Sequence, residues 1–139
     1  MKYGKFIIYG FLVVLGLTTG ILLVWIYAPA QVLRINNGPV PVRPTTQKAD
    51  ELVFLIVNYC KTSSVTGSVR RSLVSRTVRI MLPLQTDNGP KTCQQVNVPV
   101  LIPKQATPDR YHLHIDAVYQ VNPIRQVTNS FDSQEFTVE

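Results

Sequence analysis

The stretch Phe6–Ile26 is 21 residues long and carries no charge. It is made of Phe, Ile, Leu, Val, Trp and Tyr, interrupted only by Gly10, Gly16, Thr18, Thr19 and Gly20. A bilayer core of about 30 Å is crossed by roughly 20 such residues at a helical rise of about 1.5 Å each. A helix also satisfies its own backbone groups, as hydrocarbon demands. Tyr3 and Tyr9 toward one end, and Trp25 and Tyr27 at the other, match the interfacial aromatic belts of a spanning helix, and Pro29 ends the run. The sequence therefore predicts a short tail over 1–5 and a transmembrane helix over 6–28. The competing reading is a signal peptide: Lys2 and Lys5 form a basic start, and Ala28-Pro29-Ala30 resembles a cleavage site, with cut after Ala30. Cleavable apolar regions run about 7–15 residues, shorter than this one, so an uncleaved signal anchor is expected.

Charge around the span sets its orientation. The tail holds Lys2 and Lys5, whereas the stretch that follows Tyr27 carries only Arg34 and Arg43 before Lys48. The positive-inside rule then places the N-terminus in the cytoplasm and the C-terminal part outside it, in the periplasm if the envelope is Gram-negative. Gly16 and Gly20, four apart in the span, offer a small-residue face for helix–helix association into a homo-oligomer, or are simply tolerated there.

Beyond the span the composition changes. Residues 29–47 hold Pro29, Pro39, Pro41 and Pro44 with the turn signal Asn36-Asn37-Gly38, which reads as an extended stalk that includes at most a first edge strand. Residues 48–139 read as strands. Leu52–Tyr59 is a β-branched and aromatic run suited to a strand with both faces covered. Thr62–Ser68 reads as a turn. Val74, Val78, Ile80, Leu82 and Leu84 share one face of a next strand, with Arg76 interrupting it, and Asp87-Asn88-Gly89-Pro90 is a strong turn. Val96, Val98, Val100 and Ile102 alternate again, and Pro99 among them marks an edge strand. Tyr111, Leu113, Ile115, Ala117, Tyr119 and Val121 give the clearest alternation of the chain, and Val127, Phe131, Phe136 and Val138 supply the last strand or pair. Six or seven short strands in about 90 residues predict an antiparallel β-sandwich.

Two cysteines, Cys60 and Cys93, lie in this outer part. An extracytoplasmic compartment permits a disulfide between them, closing a loop worth roughly 3–4 kcal/mol in the chain-entropy model; two buried free thiols are the alternative.

The stretch Pro108-Asp109-Arg110-Tyr111-His112-Leu113-His114-Ile115-Asp116-Ala117-Val118-Tyr119 resembles the penultimate strand of immunoglobulin-like and fibronectin type III domains, with Tyr111 at the place of the corner tyrosine. The resemblance spans about residues 108–121 and implies an immunoglobulin-like sandwich. Two departures stand beside it: the outer part has no Trp, and Cys93 precedes the strand on which an immunoglobulin-type bridge would end. A shared fold does not imply a shared function.

Candidate chemistry is sparse. His112, His114 and Asp116 share one strand face and have the residue types of a metal site, but any solvated strand face looks similar, so no metal or other cofactor is expected. No nucleophile motif and no phosphate loop occur, and an enzyme is not expected. The outer part carries 12 Lys and Arg against 8 acids, with Arg70, Arg71, Arg76 and Arg79 concentrated in one segment. Strand alternation splits them, Arg70 with Arg76 and Arg71 with Arg79, which weakens the case for one polyanion patch. No N-x-[ST] sequon occurs, which leans toward a bacterial or phage source.

The leading expectation is a non-enzymatic, single-pass membrane protein. Its outer domain would act as a protein-interaction or structural module of an envelope- or virion-associated assembly, meeting the lipid bilayer and one or more protein partners. The alternatives are a membrane-tethered binder of lipopolysaccharide or nucleic acid, the latter not favoured, and a metal-binding protein or enzyme using His112 and His114.

Overall fold

The computed structural model describes residues 3–27 and 31–139. Lys2 and the Ala28-Pro29-Ala30 motif lie outside the described residues. The first helix, α1, spans Tyr3–Ile26. Its segment Lys5–Ile26 is the one helix among the described residues long and apolar enough to cross a membrane, a property that signal sequences share, and none of its described residues is buried, Trp25 alone being half-covered. Its two threonines are neutralised within it: the Thr18 hydroxyl donates to Val14 O at 3.0 Å and that of Thr19 to Leu15 O at 2.7 Å.

The remainder forms two sheets. In the first, β4 (Leu52–Lys61) lies between β8 (Cys93–Leu101) on one side and β1 (Leu33–Ile35) with β2 (Val42–Arg43) on the other, all antiparallel. In the second, the order is β3 (Thr46–Gln47), β11 (Phe136–Val138), β9 (Asp109–Asn122), β5 (Gly67–Val74) and β6 (Arg79–Met81). Here β10 (Arg125–Asp132) extends the β11 side of β9, and β7 (Gln85–Asp87) extends the β6 side of β5. Among the described strands β3 and β11 are the parallel pair, and Val40 and Ser133 add an isolated parallel bridge. The chain leaves the first sheet for the second at the cis peptide Arg43–Pro44.

The larger of two apolar clusters joins the sheets. Val53, Leu55, Val57 and Val100 from the first meet Leu73, Tyr111, Leu113 and Ile115 from the second. Period-two alternation puts these side chains on one face of each strand. Burying each aliphatic or Phe side chain contributes about 1.5–3 kcal/mol, and this is the main force holding the sheets together.

Three expectations are corrected. Residues 31–47 are not a free stalk: they supply β1, β2 and β3 and bury Val32, Val40 and Val42, so apolar residues between the prolines outweigh the extended geometry those prolines favour. The outer face of β4 is open, with Leu52 and Phe54 exposed, because no layer covers it. The single strand read over 74–84 is broken. Ser75 Oγ accepts from Thr77 N and Val78 N at 3.3 and 3.2 Å, and Ser75 N donates to Val78 O, closing a tight turn between β5 and β6. Strand β5 accordingly starts at Gly67, inside the expected Thr62–Ser68 turn.

Gly67 faces Tyr119 directly across the β5–β9 pair. A Cβ there would lie 2.4 Å from two ring carbons of Tyr119 and 2.9 Å from Val118 O. The phenol ring therefore takes the space a side chain would fill. Gly67→Ala is expected to destabilise the domain by roughly 1–3 kcal/mol, as overpacking does, read as an earlier thermal unfolding midpoint.

The helix is tied to this body. Asn122 Nδ2 donates to Trp25 O at 2.8 Å, and Arg125 Nη1 to Ile26 O at 2.6 Å. A helix leaves its last carbonyls without internal partners and partly negative, and an amide and a guanidinium from the turn between β9 and β10 satisfy two of them.

Candidate functional site

The sheets part along one side. Strand β8 is hydrogen-bonded to β4 alone, and β6 and β7 to β5 alone, so two edges face each other without pairing among the described residues. Between them lies a mostly apolar cavity of about 190 Å³ whose walls include Leu55, Val57, Val69, Val98, Ile115 and Arg71. A second depression continues it past Arg71 toward Leu52, Met81, Pro99 and Leu101. Met81 and Leu101 are exposed there.

The register fixes which groups β8 shows. Thr92 O accepts from Lys61 N, and Ile102 N donates to Glu51 O, so even-numbered residues bond toward β4. In an antiparallel ladder the odd-numbered residues then direct their backbone groups outward. Pro99 sits at one of those outward places, where its missing N–H breaks no ladder bond.

One end of the groove is closed by charge. The inward row of β4 runs Val53, Leu55, Val57, Tyr59, Lys61, which brings a lysine to the core face. Its side chain is fully buried, and Nζ lies 2.9 Å from Asp87 Oδ2 and donates to Gly89 O at 2.9 Å. The Tyr119 hydroxyl donates to the same Asp87 oxygen at 2.7 Å, and Gly89 N donates to Asp87 Oδ1 at 2.9 Å. Lys61 Nζ also stands 5.4 Å from the Tyr119 ring centre. Burial works against the Asp87 charge, but the bonds from Tyr119, Gly89 and Lys61 together outweigh it and hold its carboxyl below the ordinary value. Burial, then the bond to Asp87, pushes the Tyr119 phenol well above its ordinary range. The cluster fastens β4 to β7 and keeps Tyr119 protonated.

Arg71 lies midway along the groove, on the inward face of β5. Its Nε is buried with no hydrogen-bond partner among the described residues, while Nη2 donates to Pro83 O at 3.4 Å. Burial lowers its pKa, yet a guanidinium stays protonated. No carboxylate within 4.0 Å pairs with it among the described residues.

The other sequence candidates scatter. Cys60 and Cys93 form a disulfide between directly paired positions of β4 and β8. Arg70, Arg76 and Arg79 are exposed. Arg79 Nε donates to Ser72 Oγ at 3.1 Å on the outer face of β5, so the Ser75–Val78 turn moves Arg79 away from Arg71 and onto the side of Arg70. His114 is held by two carboxylates, Nδ1 at 2.6 Å from Asp132 Oδ1 and Nε2 at 3.3 Å from Asp116 Oδ1, with His112 two residues before it on the same strand face. Among the described residues no group of three or more His, Cys, Asp or Glu is placed to hold a metal. Gly16 and Gly20 have open space around them. Sequence reasoning missed the Lys61–Asp87–Tyr119 cluster, although continuing the β4 alternation two steps past Tyr59's neighbour Val57 would have brought Lys61 inward.

No protein-family model matches the chain, and no curated protein matches it. Among solved structures it is similar to Pseudomonas fluorescens alkylpurine DNA glycosylase AlkC bound to DNA containing an abasic site analog, at 15% identity and a TM-score of 0.43, over 78% of this chain and 30% of that one. The expectation that the chain is not an enzyme finds no support in these comparisons and is not carried further. A likeness of this degree carries no activity over to the present chain, which spans under a third of the other's length.

Proposed function

We propose that this chain is a single-pass membrane protein, N-terminus in the cytoplasm, whose outer domain is an immunoglobulin-like sandwich that docks a protein partner within a bacterial or phage envelope assembly. The observation that carries the reading is the pairing of an apolar helix, exposed along almost all its length, with a disulfide-stapled β domain that leaves strand edges open. Open edges are templates for β-addition, and soluble proteins usually blunt them.

Two features support the immunoglobulin-like assignment. The strand order, β1 and β2 with β4 and β8 in one sheet and β3–β11–β9–β5–β6 in the other, divides the first strand between sheets and places β9 centrally. The Tyr111 hydroxyl donates to Thr107 O at 3.0 Å just before β9, as a corner tyrosine does. The disulfide departs from that pattern by joining neighbours in one sheet.

The test is crosslinking and recovery of the full-length chain from native membranes over a salt series. The expected outcome is a carbonate-resistant, membrane-bound chain with a protein partner retained at high salt. Recovery of the unprocessed chain in the supernatant would remove the anchor. Steep loss of binding with salt would favour instead the polyanion reading through Arg70, Arg76 and Arg79.

A further inference from the structure

We infer that the groove between β8 and the β6–β7 edge is a binding site for an extended peptide segment bearing an acidic side chain, whose carboxylate pairs with Arg71. This rests on the docking reading above and names its site and ligand chemistry.

Three observations converge on it. First, the outward groups of β8 are ladder groups without a strand neighbour among the described residues: N–H at Gln95, Asn97 and Leu101, and C=O at Gln95, Asn97, Pro99 and Leu101. Second, the wall behind that edge is apolar. Val96 and Val98 point inward and pack against the core, yet stay half-buried where Val100 on the same face is buried, because they line the cavity at the unpaired edge. An added strand would cover them with every second side chain, and its alternate residues would lie beside Leu101 on the outer face of the first sheet. Third, Arg71 is a cation whose Nε is sealed from water without an acceptor. A buried donor left unmade is costly, and a planar guanidinium is matched best by a carboxylate. The basic surplus of the outer part favours an acidic partner in the same sense. A fatty acid would satisfy Arg71 and fill the apolar cavity, but it would leave the β8 ladder groups unmet, so the peptide fits more of the site.

The test uses the full chain in detergent micelles and a displayed peptide library. Each peptide alternates apolar residues with Ser or Thr, and one central position is varied among Asp, Glu, Asn and Gln. The expected result is selection of Asp or Glu over Asn or Gln by at least tenfold, loss of that preference in Arg71→Gln, and slowed amide exchange at Gln95, Asn97 and Leu101 on binding. Asn97→Pro provides a second variant that leaves the core alone: it places a proline at an outward position like that of Pro99, and it is expected to weaken binding at least tenfold while the domain stays folded. Selection without acid preference, binding unmoved by either variant, or no binder at all overturns the site. Partner crosslinks in native membranes that map elsewhere on the domain would sink this groove while leaving the docking reading intact.

Discussion

Replacing Cys60 and Cys93 together by serine is expected to lower the stability of the β domain by about 3–4 kcal/mol, the chain-entropy value for the loop they close. The bridge joins two residues that already face each other in the β4–β8 ladder, so its removal leaves the folded register in place and acts on the unfolded chain. Denaturant titration of the detergent-solubilised chain should therefore show a lower midpoint with the same native spectrum. A lost native spectrum at zero denaturant would mean that the bridge sets the register rather than securing it. Reductant applied to the unmodified chain should reproduce the double variant.

Asp87→Ala is expected to cost about 3 kcal/mol, the lower part of the range for breaking a buried ion pair, because it strands the Lys61 ammonium in a fully buried place while Asp87 itself keeps some solvent contact. The double change Lys61→Met with Asp87→Leu should cost much less than Asp87→Ala, since no lone charge remains. The same cluster predicts a pH profile. The folded carboxyl of Asp87 lies below its unfolded value of about 4, so its contribution is complete above that pH and disappears as pH falls through the folded value. The phenol of Tyr119 is raised, so its contribution is complete below its unfolded value of about 10 and is lost as pH climbs beyond it toward the folded value. Asp87→Asn should flatten the acid limb of stability against pH, and Tyr119→Phe the alkaline limb. Limbs unchanged in these variants would show that other groups govern them.

Much of the fold was legible in residues that report on one neighbour at a time. The apolar run of α1, the alternation of β9 and the outward Pro99 each follow from solvent or ladder geometry, and all three stand where the sequence put them. The paired cysteines were legible as a permitted bond, and the register made it. What the sequence hid depends on distant partners. Ser75 makes a turn through its own hydroxyl, in a stretch whose apolar spacing reads as a continuous strand. The prolines of 29–47 read as stalk because nothing local shows that Val32, Val40 and Val42 meet the core. Alternation split the arginines between two faces without showing which face is inward, and Arg71 owes its half-buried place to β5 facing the other sheet. Lys61 and Asp87 stand far apart in sequence, and only the folded chain brings them together.

The hold of Asn122 and Arg125 on the carbonyls of Trp25 and Ile26 couples α1 to the β domain. Strand β9, which leads into that turn, pairs with β5, β10 and β11, so under the proposed membrane-anchored reading a swing of the helix is passed first to the centre of the second sheet. On that same reading, a pull on the β domain is expected to reach the helix through Asn122 and Arg125 as well as along the chain.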